Sequence, residues 1–461
     1  AVSSTWTGGG GDKKWSTVAN WDRGIPGTGD KAIITAGAEV EVDGAAAAQV
    51  VDLAEGAKLT LNAKLELDNG GELRASGNAT VTSKAAGGLT FTTTNNVIVS
   101  AGKTLTLAAE GAGTIVGAAD DLKLSDLGTL TLKTPVTTAT DLKITDGGTL
   151  VVDVDDALPA LDGSGSTLVE IPKGNLVVNA EDFGNIVETL LLREGNLTLN
   201  KPLGAKFTTV VISGDLKVAG DGKIGDDTVP DGQVKLKADS RLVLQKDLKL
   251  KTLTTDDGSQ IDTGDHALTV KPAAGLFLNA AVTGVLSLDI PAGFKATLKK
   301  DVKGTVRFQA AAGVGSTLAL DVDVKVTSVD FTAAAVGDTF KLELNKNEIG
   351  TLSFAKTTAG LTVKSDGTGL NDENTIHFLQ PADDATLELE NGTRALVVRD
   401  GTKGVKWNVK VGDFDTFGVR GKDLLSGEVK VTLAKFSILT LPSGEFPNLE
   451  LSAVTPANPA T

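Results

Sequence analysis

A rhythm constrains this chain more than any single motif. A glycine recurs just before a short run that alternates apolar and polar residues. Examples are Gly56-Ala-Lys-Leu-Thr-Leu61, Gly102-Lys-Thr-Leu-Thr-Leu107, Gly128-Thr-Leu-Thr-Leu132, Gly148-Thr-Leu-Val-Val152, Gly174-Asn-Leu-Val-Val178 and Gly195-Asn-Leu-Thr-Leu199. Strict alternation reads as a half-buried strand, and the preceding Gly reads as a turn. The leading leucines Leu89, Leu105, Leu130, Leu150, Leu176, Leu197, Leu216, Leu242 and Leu268 are spaced by 16, 25, 20, 26, 21, 19, 26 and 26 residues. A period near 20–26 residues is the signature of a solenoid, in which one coil cannot bury its own apolar face and must stack on the next. An antiparallel sandwich would place turns roughly every 8–12 residues throughout. The spacing therefore predicts an all-β chain, a right-handed parallel β-helix over residues 35–270.

Beyond Val270 the rhythm loosens. Leu286, Leu318, Leu342, Leu361, Leu387 and Leu396 open strand-like runs at steps of 32, 24, 19, 26 and 9. Residues 271–400 are expected to form further β coils or a β-sandwich-like module. Residues 401–461 are expected to form a C-terminal β module, carrying Phe414, Phe417, Phe436 and Phe446, with a Pro/Ala tail. Residues 1–34 read as an N-terminal Trp-rich cap.

That N-terminal segment carries the most specific pattern. It reads Thr5-Trp6-Thr-Gly-Gly-Gly-Gly-Asp12, then Trp15-Ser-Thr-Val-Ala-Asn20-Trp21, then Gly24-Ile-Pro26-Gly-Thr-Gly29-Asp30 and Ala32-Ile-Ile34. It resembles the motif that opens the β-helical passenger repeats of bacterial autotransporter-like and other secreted surface proteins. The resemblance implies export, a right-handed parallel β-helix and a cell-surface, S-layer-like role. Physically, a first coil exposes unpaired strand edges, and Trp6, Trp15 and Trp21 are suited to cover them. The competing role for these tryptophans is an exposed platform for sugar stacking.

Composition narrows the chemistry. The chain has no Cys and no Met, only two His, and a formal charge of −15. Absence of Cys excludes disulfides, thiol nucleophiles and cysteine-ligated zinc. The negative charge opposes binding to nucleic-acid phosphates or anionic lipid over a broad face. Ala1 in a Met-free chain leads to the expectation that a signal peptide has been removed and that the protein is extracellular.

Five acidic doublets stand out: Asp120-Asp121, Asp155-Asp156, Asp226-Asp227, Asp256-Asp257 and Asp383-Asp384. Paired carboxylates can hydrolyse glycosides. However, neither His266 in Gly264-Asp-His-Ala267 nor Arg307 in Val306-Arg-Phe-Gln309 sits in the surroundings of a β-helical pectinase site. His377 stands alone. Calcium, which takes roughly six to eight oxygen ligands, is the metal expected if any binds. Asp221, Asp226, Asp227 and Asp231 form the best candidate set, Asp153, Asp155 and Asp156 the second, and Asp366 to Glu373 a third. Asn78, Asn196 and Asn391 begin Asn-x-Thr triplets, which in a bacterial export arise by chance. No catalytic set emerges, so the chain is not expected to be an enzyme. The sequence points to a self-assembling extracellular structural protein, an S-layer lattice or a filament or tube subunit. Its partners would be copies of itself and a cell-surface polysaccharide. The alternatives are a β-helical adhesin and, further off, a polysaccharide lyase or hydrolase.

Overall fold

The structure is a computed structural model. It describes residues 1–92, 95–117, 122–137, 141–155, 157, 168–180, 189–201, 209–220, 233–309, 314–333, 339–357, 360–364, 373–390, 393–400, 404–419 and 427–453. The chain divides into two compact units, Ala1–Lys246 and Asp247–Thr461. Each is a parallel β-solenoid. Apart from one 3-10 turn, Val18–Asn20, the described regular elements are strands.

In unit 1, one ladder runs through Ser3–Thr5, Lys31–Ile34, Ala46–Leu53, Leu65–Ala75, Asn95–Val99 and Leu122–Ser125, and continues to Gln233–Leu236. A second runs from Glu39–Val42 through Lys58–Leu61, Ala79–Ser83, Thr104–Ala109 and Thr129–Leu132 to Arg241–Leu244. The 11-residue strand Leu65–Ala75 feeds two neighbours. Leu65 pairs with Leu89 and Leu73 with Val97, so the coil has a third, shorter face.

The leucine rhythm is one physical column over much of its length. Leu105 pairs with Leu130, Leu130 with Leu150, Leu150 with Leu176, and Leu176 with Leu197, every one buried. Other members depart from it, among them Leu268, which pairs with Leu248, and Leu242, which follows Leu216. Leu89 lies in the other ladder, opposite Leu65 and Ile115. Leu216 sits opposite Gly195, and Val218 takes the place opposite Leu197. That is a slip of two residues, which preserves facing because the side-chain period is two. Burying each such Leu or Val side chain contributes about 1.5–3 kcal/mol.

The glycines before these strands are there for closeness. A Cβ on Gly195 would lie 1.6 Å from the Gly174 carbonyl oxygen of the preceding coil. Asparagines reinforce the same corner: Asn196 Nδ2 donates to Asn175 Oδ1 at 2.7 Å, and Asn175 Nδ2 to Thr149 Oγ1 at 3.1 Å.

Unit 2 has the same logic with longer strands. One ladder runs Leu276–Leu278, Lys295–Leu298, Val314–Leu320, Thr339–Glu343, Leu361–Lys364, Thr386–Glu390, Lys406–Val411, Glu428–Leu433 and Leu449–Ala453. The other includes Ala281–Asp289, Val302–Gln309, Lys325–Phe331, Glu348–Phe354, Glu373–Pro381, Arg394–Asp400, Thr416–Val419 and Ile438–Thr440. All these pairings are parallel, so of the two sequence options for 271–400 the structure has coils. The strands of 406–453 continue both ladders. The uneven steps have a simple origin: Leu318, Leu342, Leu361 and Leu387 belong to the first ladder, whereas Leu286 and Leu396 belong to the second. The core here is aromatic. Phe308, Phe331 and Phe340 pack with ring centroids 5.3–5.6 Å apart, and Phe354 meets Trp407 at 6.4 Å.

Outside that core the Glu343 carboxylate is nearly buried. The Glu343 side chain is 9 % exposed and bonds Lys295 at 2.6 Å and Lys364 at 3.0 Å. Burial alone would raise its pKa; the two ammonium groups outweigh that and hold it below the usual value.

Candidate functional site

The first coil of unit 1 closes itself. Ser3–Thr5 pairs with Lys31–Ile34, and the chain then folds back over the outer edge of that first strand. The Asp22 N–H donates to Thr5 O at 3.0 Å, Thr7 N–H to Asn20 O at 2.7 Å, and Trp6 and Trp21 form an antiparallel bridge. The other ladder is closed the same way: Trp15 N–H donates to Glu41 O at 2.8 Å, and Glu41 N–H to Lys13 O at 2.7 Å.

The three tryptophans are the plug. Trp6, Trp15 and Trp21 are 5 %, 2 % and 5 % exposed. Trp21 meets Trp6 edge-on at 5.2 Å and Trp15 at 4.8 Å, and its indole N–H donates to the Trp15 carbonyl at 2.8 Å. Trp407 is also buried. Tryptophan is therefore not a sugar-stacking platform in this fold, and the exposed-Trp version of the adhesin reading is corrected.

The remaining motif residues position this plug. Buried Asn20 accepts the Gly10 N–H at 2.8 Å and donates to Asp12 Oδ1 at 2.7 Å and Lys14 O at 3.0 Å. A Cβ on Gly10 would lie 2.8 Å from Asn20 Oδ1, so the glycine run leaves room for that amide. Asp30 accepts the Val2 and Gly27 N–H groups at 2.7 and 3.1 Å.

Carboxylates here are held low by such donors. Asp12 is lowered by the Lys14 N–H, the Asn20 amide and the Thr17 hydroxyl. Asp30 is lowered by the Val2 and Gly27 N–H groups. Glu39 is lowered by Lys13, whose own pKa rises in return. In the coils behind, Glu55 reaches about 2 because it accepts the Asn78 N–H, the Lys103 ammonium and the Asn78 amide.

The sequence-predicted acids divide. Asp120, Asp121, Asp156, Asp221, Asp226, Asp227, Asp231 and most of 366–373 lie outside the described residues, as does Asn391. Asp153 and Asp155 are exposed at the turn after Thr149–Val152. Among the described residues no group of three or more His, Asp or Glu is placed to hold a metal ion. Asp257 bonds Lys300 at 2.8 Å, which lowers its pKa, and Asp384 bonds Lys356 at 3.0 Å. Asp383 accepts the Lys406 N–H at 3.0 Å across coils. His266 lies 3.8 Å from Asp247, and His377 lies 3.4 Å from Glu348 on an exposed strand face. Arg307 lies 3.9 Å from Asp330. These are turn and ladder contacts.

The structure adds three features that pattern reading missed. The first is an uncharged outward face on unit 1. Thr80, Thr106, Thr131, Val151, Val177 and Thr198 form one cross-coil column, and Thr104, Thr129, Thr149, Asn175 and Asn196 form the next. Its signal was the Thr-Leu-Thr-Leu runs, which were read for their leucines. The second is a groove of about 540 Å³ on unit 2, lined by Asp384, Lys406, Asn408, Glu428, Lys430 and Glu450 among others. Its acids are already in ion pairs: Lys406 with Glu428 at 3.3 Å, Lys430 with Glu450 at 3.4 Å, and Lys356 with Asp384. The third is a pair of exposed phenylalanines, Phe414 and Phe436, whose rings stack at 5.3 Å and 14°. Comparison with protein-family models, curated proteins and solved structures gives no match.

Proposed function

We propose that this chain is an extracellular structural protein, a subunit of an S-layer-type lattice, filament or tube. In this reading it works by packing rigid β-solenoid copies against one another. The observation that carries the reading is the uncharged face of unit 1. It spans six adjacent strands, about 24 Å at the usual strand spacing, and holds only Thr, Val and Asn in its two columns. Two copies of charge −15 repel over most of their surface. A regular, charge-free strip is where a lateral contact costs least desolvation and meets least repulsion. Calcium fits this reading as a bridge between carboxylates of neighbouring copies. The candidate ligands remain Asp221, Asp226, Asp227 and Asp231, with Asp153, Asp155 and Asp156 second.

Negative-stain electron microscopy of the protein in millimolar calcium and then in EDTA tests both parts. The expected result is ordered sheets or tubes that Thr131→Lys abolishes. Assemblies indifferent to EDTA remove calcium from the reading, and isolated particles in both conditions remove self-assembly. The polar groove of unit 2 favours a second reading, an adhesin that holds sugar hydroxyls. Glycan binding by isolated particles, lost in Asn408→Ala, would support it.

A further inference from the structure

We propose that the last coil of unit 2 is a pairing surface for a second copy of this chain, joined tail to tail as a closed two-fold dimer. This builds on the reading that copies associate, but it names a different contact and is measured where no lattice exists.

Three observations on separate parts of that coil converge. The first concerns strand edges. Among the described residues, Leu449–Ala453 pairs only with Glu428–Leu433, and Ile438–Thr440 only with Thr416–Val419. The outer N–H and C=O groups of both strands face no other described strand, which makes them a template for strand addition.

The second is the core column that ends there. Leu387, Val409, Val431 and Leu451 occupy successive positions on the inward side of one ladder. The first three are fully buried, while Leu451 is 55 % exposed. In the other terminal strand the inward position is Leu439, opposite the fully buried Phe417, and it is only half-buried; Ile438 beside it lies opposite Thr416 on the outward side and is 55 % exposed. The last described coil thus presents interior-type side chains, Leu451 and Leu439, at the pitch of a coil. An apolar surface with that pitch is what another coil end supplies.

The third is the aromatic stack. Phe414 and Phe436 sit at φ +65° and +63°, where a bulky residue is a rare occupant. Turns in earlier coils use Asp323 and Lys346 at positive φ. One face of Phe436 lies on Phe414, with the Lys435 ammonium 5.0 Å from the Phe436 ring centre. Two exposed, stacked rings at strained positions beside an open edge are suited to be covered.

The choice of a second copy, and of its matching end, follows from the first coil. Its two strand edges already carry the chain's own backbone bonds, from Asp22 and Thr7 on one ladder and Lys13 and Trp15 on the other. A head-to-tail stack would need those edges free. Tail-to-tail contact is isologous, and a two-fold axis runs the facing strands antiparallel, a geometry that forms regular ladders. Such a contact closes on itself, so it makes dimers and does not by itself propagate a filament.

The test is sedimentation equilibrium of the full chain in EDTA at micromolar concentration. The expected result is a dimer. Leu451→Lys and Ile438→Lys should weaken it at least tenfold while leaving the far-ultraviolet spectrum and melting temperature of the chain in place. The chain has no Cys, so single cysteines at Glu450 and at Ser452 give a second readout that survives any misfolding of the lysine variants. At least one should form a disulfide-linked dimer on mild oxidation. A monomeric wild type overturns the proposal. If the Leu451 amide is then protected from hydrogen exchange, the cover is residues 454–461 of the same chain. A dimer unaffected by both lysines and linked by neither cysteine overturns it too, by placing the contact elsewhere. Dimers that never form sheets in calcium keep this inference and remove the lattice reading; sheets built from monomers do the reverse.

Discussion

The first coil of unit 1 and the last described coil of unit 2 meet the same physical problem in opposite ways. Each is the outermost described coil of its unit, in a stack in which every coil relies on neighbours for its ladder bonds and its apolar cover. The first coil answers with irregular sequence: Trp6, Trp15 and Trp21 plug the interior, and Asp22, Thr7, Lys13 and Trp15 bond both strand edges. The last keeps the repeating pattern to its final strand, Leu-Glu-Leu-Ser-Ala, and leaves Leu451 exposed. Capping therefore requires breaking the period. A segment that stays periodic remains able to accept another coil.

The largest effect should come from removing the plug. Trp15→Ala should destabilise the chain by about 3–5 kcal/mol, as large-to-small core changes do. Urea melts and hydrogen exchange over residues 2–22 would show it. Trp15→Phe sharpens the comparison. Among the described residues the Trp15 indole N–H has no hydrogen-bond partner, so this change loses ring volume and no hydrogen bond, and should cost under about 1.5 kcal/mol. Trp21→Phe should cost more, because it leaves the Trp15 carbonyl without the indole donor seen at 2.8 Å. Equal costs for the two would mean that this bond is not what orients the plug.

A smaller effect, of opposite sign, is expected at the last coil. A phenylalanine in the left-handed region carries about 1–2 kcal/mol of backbone strain. Its stack with Phe436 returns roughly 0.5–1.5 kcal/mol. Phe414→Asn keeps the turn, since Asn tolerates positive φ, and should leave monomer stability unchanged or raise it by under about 1 kcal/mol. Phe417→Ala, three residues on and fully buried, should cost about 3–5 kcal/mol. A loss above about 2 kcal/mol for Phe414→Asn would mean that the stack stabilises the monomer, and the contrast between the two ends would weaken.

The contrast also explains what the sequence made legible. The leucine column from Leu105 to Leu197 could be read because inward facing and coil period repeat together. The ladder switch at Leu89 and the slip at Leu216 could not, since any in-facing leucine looks alike in a linear pattern. The cap was legible from its tryptophans, while the role of Asn20 was not. Its value lies in reaching Gly10, Asp12 and Lys14 at once, a fact of three-dimensional closure. The Phe308, Phe331 and Phe340 core went unread although Phe308, Phe331 and Phe354 recur at the coil step of 23 residues; Phe340 belongs to the other ladder, and its contact with them across the interior has no linear signal. Of the acids, composition showed only their number. That Asp257, Asp383 and Asp384 serve turns and ion pairs depends on which lysine or N–H the next coil brings alongside.

The smallest expected effect is acid sensitivity of the first coils. Asp12 and Asp30 in the first coil, and Glu55 behind it, have pKa values lowered on folding by N–H and ammonium donors. A carboxylate with a lowered folded pKa binds fewer protons folded than unfolded. Its stabilisation is complete above the unfolded value and is lost as pH falls through the folded one. For Glu55 that window runs from the ordinary 4.5 down to about 2. Hydrogen exchange followed from pH 6 to pH 2 should therefore show the strands around Glu55 and Asn78 loosening only below about pH 4.5. Glu55→Gln should remove that part of the acid dependence and leave the neutral-pH spectrum intact. An identical acid profile in Glu55→Gln would mean that the Asn78 and Lys103 contacts form equally well around a neutral side chain. The first coils would then owe their order to packing and backbone bonds alone.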